Sequence, residues 1–237
     1  MRQTYPQSTQ HAPLYETAIP LSSGPLIDRS LERIQRISRT FQGIADTTVS
    51  AEKQPLNFSG DELALQTGEN FRAAVRALSH VLQRGFESPL DVQRIVEESA
   101  ALVNRNLSAP GTPLHRTWEG HPGHPSPESI IEELGLFHQE YLEKHRLFLE
   151  AVFRGNEHDI REQAISFAAW VEKRFNHEIH PLYDGCGRTS KAHAVAVLTI
   201  AGLSYPAFPN RERYMEFRAL PLEEWTEKFR EHLLDSL

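Results

Sequence analysis

A single cysteine, two methionines and three tryptophans stand among 237 residues. With Cys186 alone no intramolecular disulfide can form, so the chain must be held by packing, as a reducing compartment permits. No apolar run approaches the roughly 18–20 residues of a transmembrane helix. Arg2 is not followed by the apolar core of a secretory signal. These absences lead us to expect a cytoplasmic protein with no membrane partner. Positive charge is also in short supply: 25 Lys and Arg against 32 Asp and Glu leave a formal net charge of -7. That balance argues against a nonspecific nucleic-acid binder, and no nucleic-acid partner is expected. Alternating strand patterns are almost missing, which predicts an all-α fold. What remains is 39% hydrophobic and 24% charged residues, enough for a real core.

Residues 1–25 are rich in Gln, Ser, Thr and Pro and read as a flexible tail. A secretion address for an effector delivered into a host cell would have the same composition. Residues 26–237 read as one domain. From Leu26, apolar residues recur at helical spacing (Leu31, Ile34, Ile37, Phe41, Ile44), with Asp28 or Ser30 as candidate caps. Gly68–Arg84 is predicted as a second helix, and Ser88-Pro89 opens a third. The stretch 107–127 is broken by Pro110, Pro113, Pro122, Pro125 and Pro127, which no helix survives. A long amphipathic helix follows from about Ser126 to Val152, then others over Asp159–Asn176, Ala192–Leu203, Asn210–Arg218 and Leu222–Leu234. A long irregular connection inside a compact domain is usually functional or disordered.

Residues 180–191, His-Pro-Leu-Tyr-Asp-Gly-Cys-Gly-Arg-Thr-Ser-Lys, concentrate the chemistry. Gly185, Cys186 and Gly187 precede a helix, an arrangement whose backbone N–H groups close on anionic oxygens. His180 suits a general base for an attacking hydroxyl, or else caps the end of a helix. Asp184 suits Mg²⁺ shared with substrate phosphates, or else closes an Asp-Gly turn. Arg188 and Lys191 place two cations in a first helical turn, against the helix dipole, where a polyphosphate would compensate them.

This segment resembles the signature of the Fic family, His-Pro-Phe-x-Asp/Glu-Gly-Asn-Gly-Arg-x-x-Arg. Fic enzymes mostly transfer AMP from ATP to a protein hydroxyl. The resemblance implies His180 as catalytic base and Asp184 as the metal-binding acid. It implies Gly185, Cys186 and Gly187 as the anion hole, with Arg188 and Lys191 on the phosphates. Leu182 stands where the family has Phe and keeps an apolar anchor. Cys186 replaces Asn and gives a weaker hydrogen-bond partner. Lys191 replaces the second Arg, keeping charge but losing the bidentate fork. Pro113-Leu114-His115-Arg116-Thr117-Trp118, ahead of a proline-rich stretch, resembles the Fic flap. In that family the flap is a short β-hairpin edge that receives the target's backbone. Thr48 and Glu52 resemble the family's inhibitory motif, with Lys53 departing from it; Glu52 would pair with Lys191, or else is a solvated loop carboxylate.

The resemblance implies an adenylyltransferase acting from Mg-ATP on a Ser, Thr or Tyr hydroxyl of a protein docked on the flap. Three alternatives stand beside it. Cys186 near His180 and Arg188 would act as a nucleophile if its pKa were depressed. The donor would be another phosphate-linked group. Or the chain would be a non-catalytic module holding nucleotide or a partner. His177 with His180, and His121 with His124, have metal-like spacing but no evident further ligands.

Overall fold

The computed structural model describes residues 23–43, 59–108, 111–119 and 123–234. Within them the chain is all-α: α1 (Gly24–Gln35), α2 (Gly60–Leu82), α3 (Pro89–Val103), α4 (Ile130–Arg154), α5 (Glu157–Val171), α6 (Cys186–Ile200), α7 (Arg211–Ala219) and α8 (Leu222–Leu234). Thr48, Glu52 and Lys53 lie outside the described residues, as do most of the expected tail and His121.

Local chemistry fixes most boundaries. Ser59 and Glu62 form a reciprocal capping box, so α2 starts at Gly60 rather than at the predicted Gly68. In α3 the Ser88 N–H donates to the Asp91 carboxylate at 3.0 Å, with Pro89 at the first helical position. Asn156 caps α5 and Asn210 caps α7 through their side-chain oxygens. The first helix is shorter than its stripe predicts. It ends at Gln35, and Phe41 sits on a separate tight turn, Thr40–Gln42, that packs on α2. Neither Asp28 nor Ser30 caps it. Asp28 pairs with Arg72 at 2.7 Å, and the Ser30 hydroxyl donates to Leu26 O while accepting the Tyr205 N–H.

The core is organised around α6, which contacts α1, α2, α3 and α5. Every residue from Arg188 to Thr199 is buried. A helix buried all round must match each polar side chain it carries with a partner inside. His193 does so between the Ser99 hydroxyl and the Tyr141 hydroxyl, 2.8 Å from each. Arg188 and Lys191 do so through contacts that shape the site.

Two further departures from expectation matter. The helix predicted to end near Asn176 continues past Val171 as a π-helical segment, Glu172–Ile179, closed by the His180 N–H on Phe175 O at 3.0 Å. The expected flap hairpin is not formed among the described residues. An isolated antiparallel bridge joins His115 to Leu182 instead. Arg116 N–H donates to Pro181 O at 3.0 Å and Tyr183 N–H to Leu114 O at 2.8 Å. Pro113 and Pro125 carry no backbone N–H, and among the described residues this segment pairs with residues 181–183 rather than with itself.

Candidate functional site

His180 ends the π-helical segment with φ 47 and ψ 57, a left-handed conformation rare for a residue bearing Cβ. Its carbonyl accepts the Arg116 Nε–H at 2.8 Å, which helps hold that geometry. The ring Nδ1 lies 2.9 Å from Asn176 O. A carbonyl only accepts, so Nδ1 carries the proton and Nε2 keeps its lone pair. The ring stacks on His124 at 5.2 Å between centroids. Burial pulls the imidazole pKa down to about 4; the Asn176 bond opposes this, and His124, Arg218 and Arg116 add to it. His180 is therefore neutral at pH 7, as a base must be.

Asp184 and Arg188 sit one helical turn apart and meet at 2.8 Å. Asp184 Oδ1 accepts the Gly185 N–H at 2.6 Å. Asn104, at the end of α3, completes the knot: its Nδ2 donates to Asp184 O at 3.0 Å and its Oδ1 accepts from Arg188 at 2.6 Å. Gly185 begins α6 with φ 84, and a Cβ there would lie 2.4 Å from Asn104 Oδ1. Only glycine fits both the backbone and the space. The N–H groups of Cys186, Gly187 and Arg188 form the first turn of α6, which a helix leaves without intrahelical acceptors. Asn104 was missed from sequence because its partners come from a distant segment; its position just after an apolar helical stripe was the only signal.

The expectation of two uncompensated first-turn cations fails. Arg188 has Asp184, and Lys191 is buried against Glu172, 2.9 Å away and fully buried itself. Lys191 also donates to the Tyr214 hydroxyl at 2.7 Å. Glu172 further accepts both Tyr205 and Tyr214 hydroxyls. Burial pulls the Lys191 ammonium down, but Glu172 and Tyr214 outweigh it and hold the pKa above its usual value. Glu172 thus pairs with Lys191 from within the core, while Glu52, the partner expected from sequence, lies outside the described residues.

The nucleophilic-cysteine alternative fails as well. Cys186 is buried, its Sγ accepting the Leu182 N–H at 3.2 Å. Burial pushes the thiol up to about 12, so no thiolate forms near neutral pH. The side chain closes the loop onto Leu182, itself buried, and does not present a polar group to a ligand.

A cavity of about 990 Å³ joins these pieces. His180, Asp184, Gly187 and Arg188 line it, and so do Arg211, Tyr214 and Arg218 of α7. Sequence reasoning missed the α7 wall entirely. It also missed the task of Arg116, which is buried and donates to His180 O, Trp118 O and Pro125 O. Among the described residues no group of three or more His, Cys, Asp or Glu is placed to share a metal ion, so His177 and His180 are joined there by no third ligand. One carboxylate on the cavity wall fits Mg²⁺ when substrate phosphates and water supply the other ligands. Asp184 is the carboxylate of that kind here, with Oδ1 on the Gly185 N–H and Oδ2 on Arg188. No helix among the described residues is long and apolar enough to cross a membrane.

No protein-family model matches the chain, and no curated protein matches it. Among solved structures the chain is similar to a crystal structure of a histidine-to-alanine variant of IbpA Fic2 in complex with adenylylated Cdc42. The two share 15% identity over 91% of this chain and 75% of that one, with a TM-score of 0.48.

Proposed function

We propose that the chain is a Fic-type nucleotidyltransferase that moves a phosphate-linked group, in the first instance AMP from Mg-ATP, onto a Ser, Thr or Tyr hydroxyl of a protein. The observation that carries this reading is His180. It is a neutral imidazole with Nδ1 tied to Asn176 O, on a cavity shared with the first turn of α6 and Arg188. His180 Nε2 takes the proton as the hydroxyl oxygen forms its bond to the α-phosphorus. The bond from that phosphorus to the bridging oxygen breaks, and pyrophosphate leaves with the electron pair. Backbone N–H groups of Cys186, Gly187 and Arg188 hold the phosphate oxygens, a contribution that grows as charge moves to the leaving group. Asp184 would hold Mg²⁺, which supplies charge neutralisation on the phosphates. The target would lie along residues 114–119, beside the loop that carries His180.

A different donor is favoured by one observation: the tie between Lys191 and Glu172 removes a cation from the phosphates. The test reads both. Intact mass is measured after incubation with Mg²⁺ and ATP, GTP, CTP, UTP or CDP-choline in turn, with a panel of candidate protein acceptors, for wild type and His180→Ala. A mass gain of one donor-derived group, absent in His180→Ala, is expected and names the donor. A gain that persists in His180→Ala removes the base assignment.

A further inference from the structure

We propose that Arg218, on α7, is the second anion-binding arm of this cavity and grips the outer phosphate of a diphosphate, the position Lys191 cannot serve. The inference rests on the phosphate-transfer reading above and names where the donor's far end is held.

Four observations converge. Lys191 is bound by Glu172 and Tyr214, so its charge is neutralised in the core and two of its three N–H donors are engaged there. Arg218 lines the same cavity as Arg188 and His180. Its Nε is buried without a hydrogen-bond partner, and among the described residues no carboxylate forms an ion pair with it. Arg188, 93% buried and lining the same cavity, likewise has an unpartnered buried Nε. Two guanidinium groups that line one cavity, each with a buried Nε–H that nothing accepts, make a forked site for phosphate oxygens.

The wall that carries Arg218 is fixed rather than loose. Lys173, on the π-helical segment, donates to Arg218 O at 3.1 Å and Leu220 O at 2.6 Å, capping the carbonyl end of α7. Tyr214, one turn earlier on α7, donates to Glu172. The Arg218 guanidinium lies 5.6 Å from the Tyr214 ring centroid, which supports its stem. Its charge contributes to the lowered pKa values of both His177 and His180, so its field reaches the base. An anion bound there would offset that repulsion.

The test is calorimetric titration of the full chain with inorganic pyrophosphate and Mg²⁺. Wild type is compared with Arg218→Met, Arg218→Gln and Arg218→Lys, with folding checked by circular dichroism. Wild type should bind, and either neutral variant should bind roughly tenfold or more weakly. Arg218→Lys should lie between, since it keeps charge without the fork. Wild-type affinity in a folded neutral variant, or no binding by wild type, overturns the proposal. The two readings fail separately. Weakened pyrophosphate binding in Arg218→Met, with no donor-derived mass gain on any acceptor tried, leaves the anion arm standing and counts against transfer. An undiminished mass gain in Arg218→Met keeps transfer and overturns the arm.

Discussion

Replacing Glu172 by Gln removes one charge from the core and almost no volume. Glu172 is fully buried, 2.9 Å from the Lys191 ammonium, and Lys191 is 4% exposed. Breaking a buried pair from one side strands the other charge and costs about 3–5 kcal/mol. Lysine has an escape: it can enter the folded state neutral. At pH 7 that limits the electrostatic loss to roughly 4.6 kcal/mol, the free energy of deprotonating an ordinary lysine. For a domain of this size the loss lowers the melting temperature by roughly 6–20 °C. The sign of the pH dependence follows. In the variant, Lys191 sheds its proton more readily folded than unfolded, so the unfolded state binds more protons. The deficit against wild type should therefore shrink as pH rises from 7 towards 10. Scanning calorimetry at several pH values, with Lys191→Met and the double variant completing a cycle, measures this. The double variant should recover much of the loss. A pH-independent deficit, or a double variant no better than Glu172→Gln, would refute the claim that Lys191 is charged and bound to Glu172.

Cys186, with its thiol pushed up to about 12 by burial, should resist alkylation in the native protein and react fully only in denaturant. Rapid native labelling at pH 8 would contradict its placement. Acid should be harmful: burial first of all lowers His138, His177 and His180 to about 4 and His193 to about 3. Unfolded histidines protonate near 6.5, so between pH 6.5 and 4 the unfolded state binds more protons and stability falls with pH. Melting temperatures should drop across that interval, with His193→Gln flattening the slope; equal slopes in the two proteins would count against the His193 assignment.

How far the sequence could be read depended on range. Short helices bounded by breakers, such as α7 behind Asn210 and α8 behind Pro221, were legible almost to the residue. The start of α2 was hidden because Gly60–Gln66 carries little apolar periodicity, although Ser59 and Glu62 had the spacing of a capping box. The π-helical segment was not readable, since Phe175 and Ile179 fit an ordinary α stripe equally well. In the site, residues adjacent in sequence were found together: His180, Asp184, Gly185 and Arg188 line one cavity. The partners that decide what those residues can do come from elsewhere. Asn104, Asn176, Glu172 and Arg116 have no local signature, because each is defined by a contact across the fold. A charge such as Glu172 in an apolar neighbourhood is a sign that something must neutralise it, but not of what.

Arg116 has a consequence for how this protein can change. Its guanidinium receives the chain at Trp118 O, receives it again at Pro125 O, and fastens both to His180 O. The excursion between those carbonyls therefore starts and finishes at one fixed point. Doubling the length of such a loop costs only about 0.6 kcal/mol in closure entropy. The number of residues between the two anchors can therefore change while the His180 carbonyl keeps its anchor. His124 lies within this excursion and stacks on the His180 ring, so such changes of length must spare it.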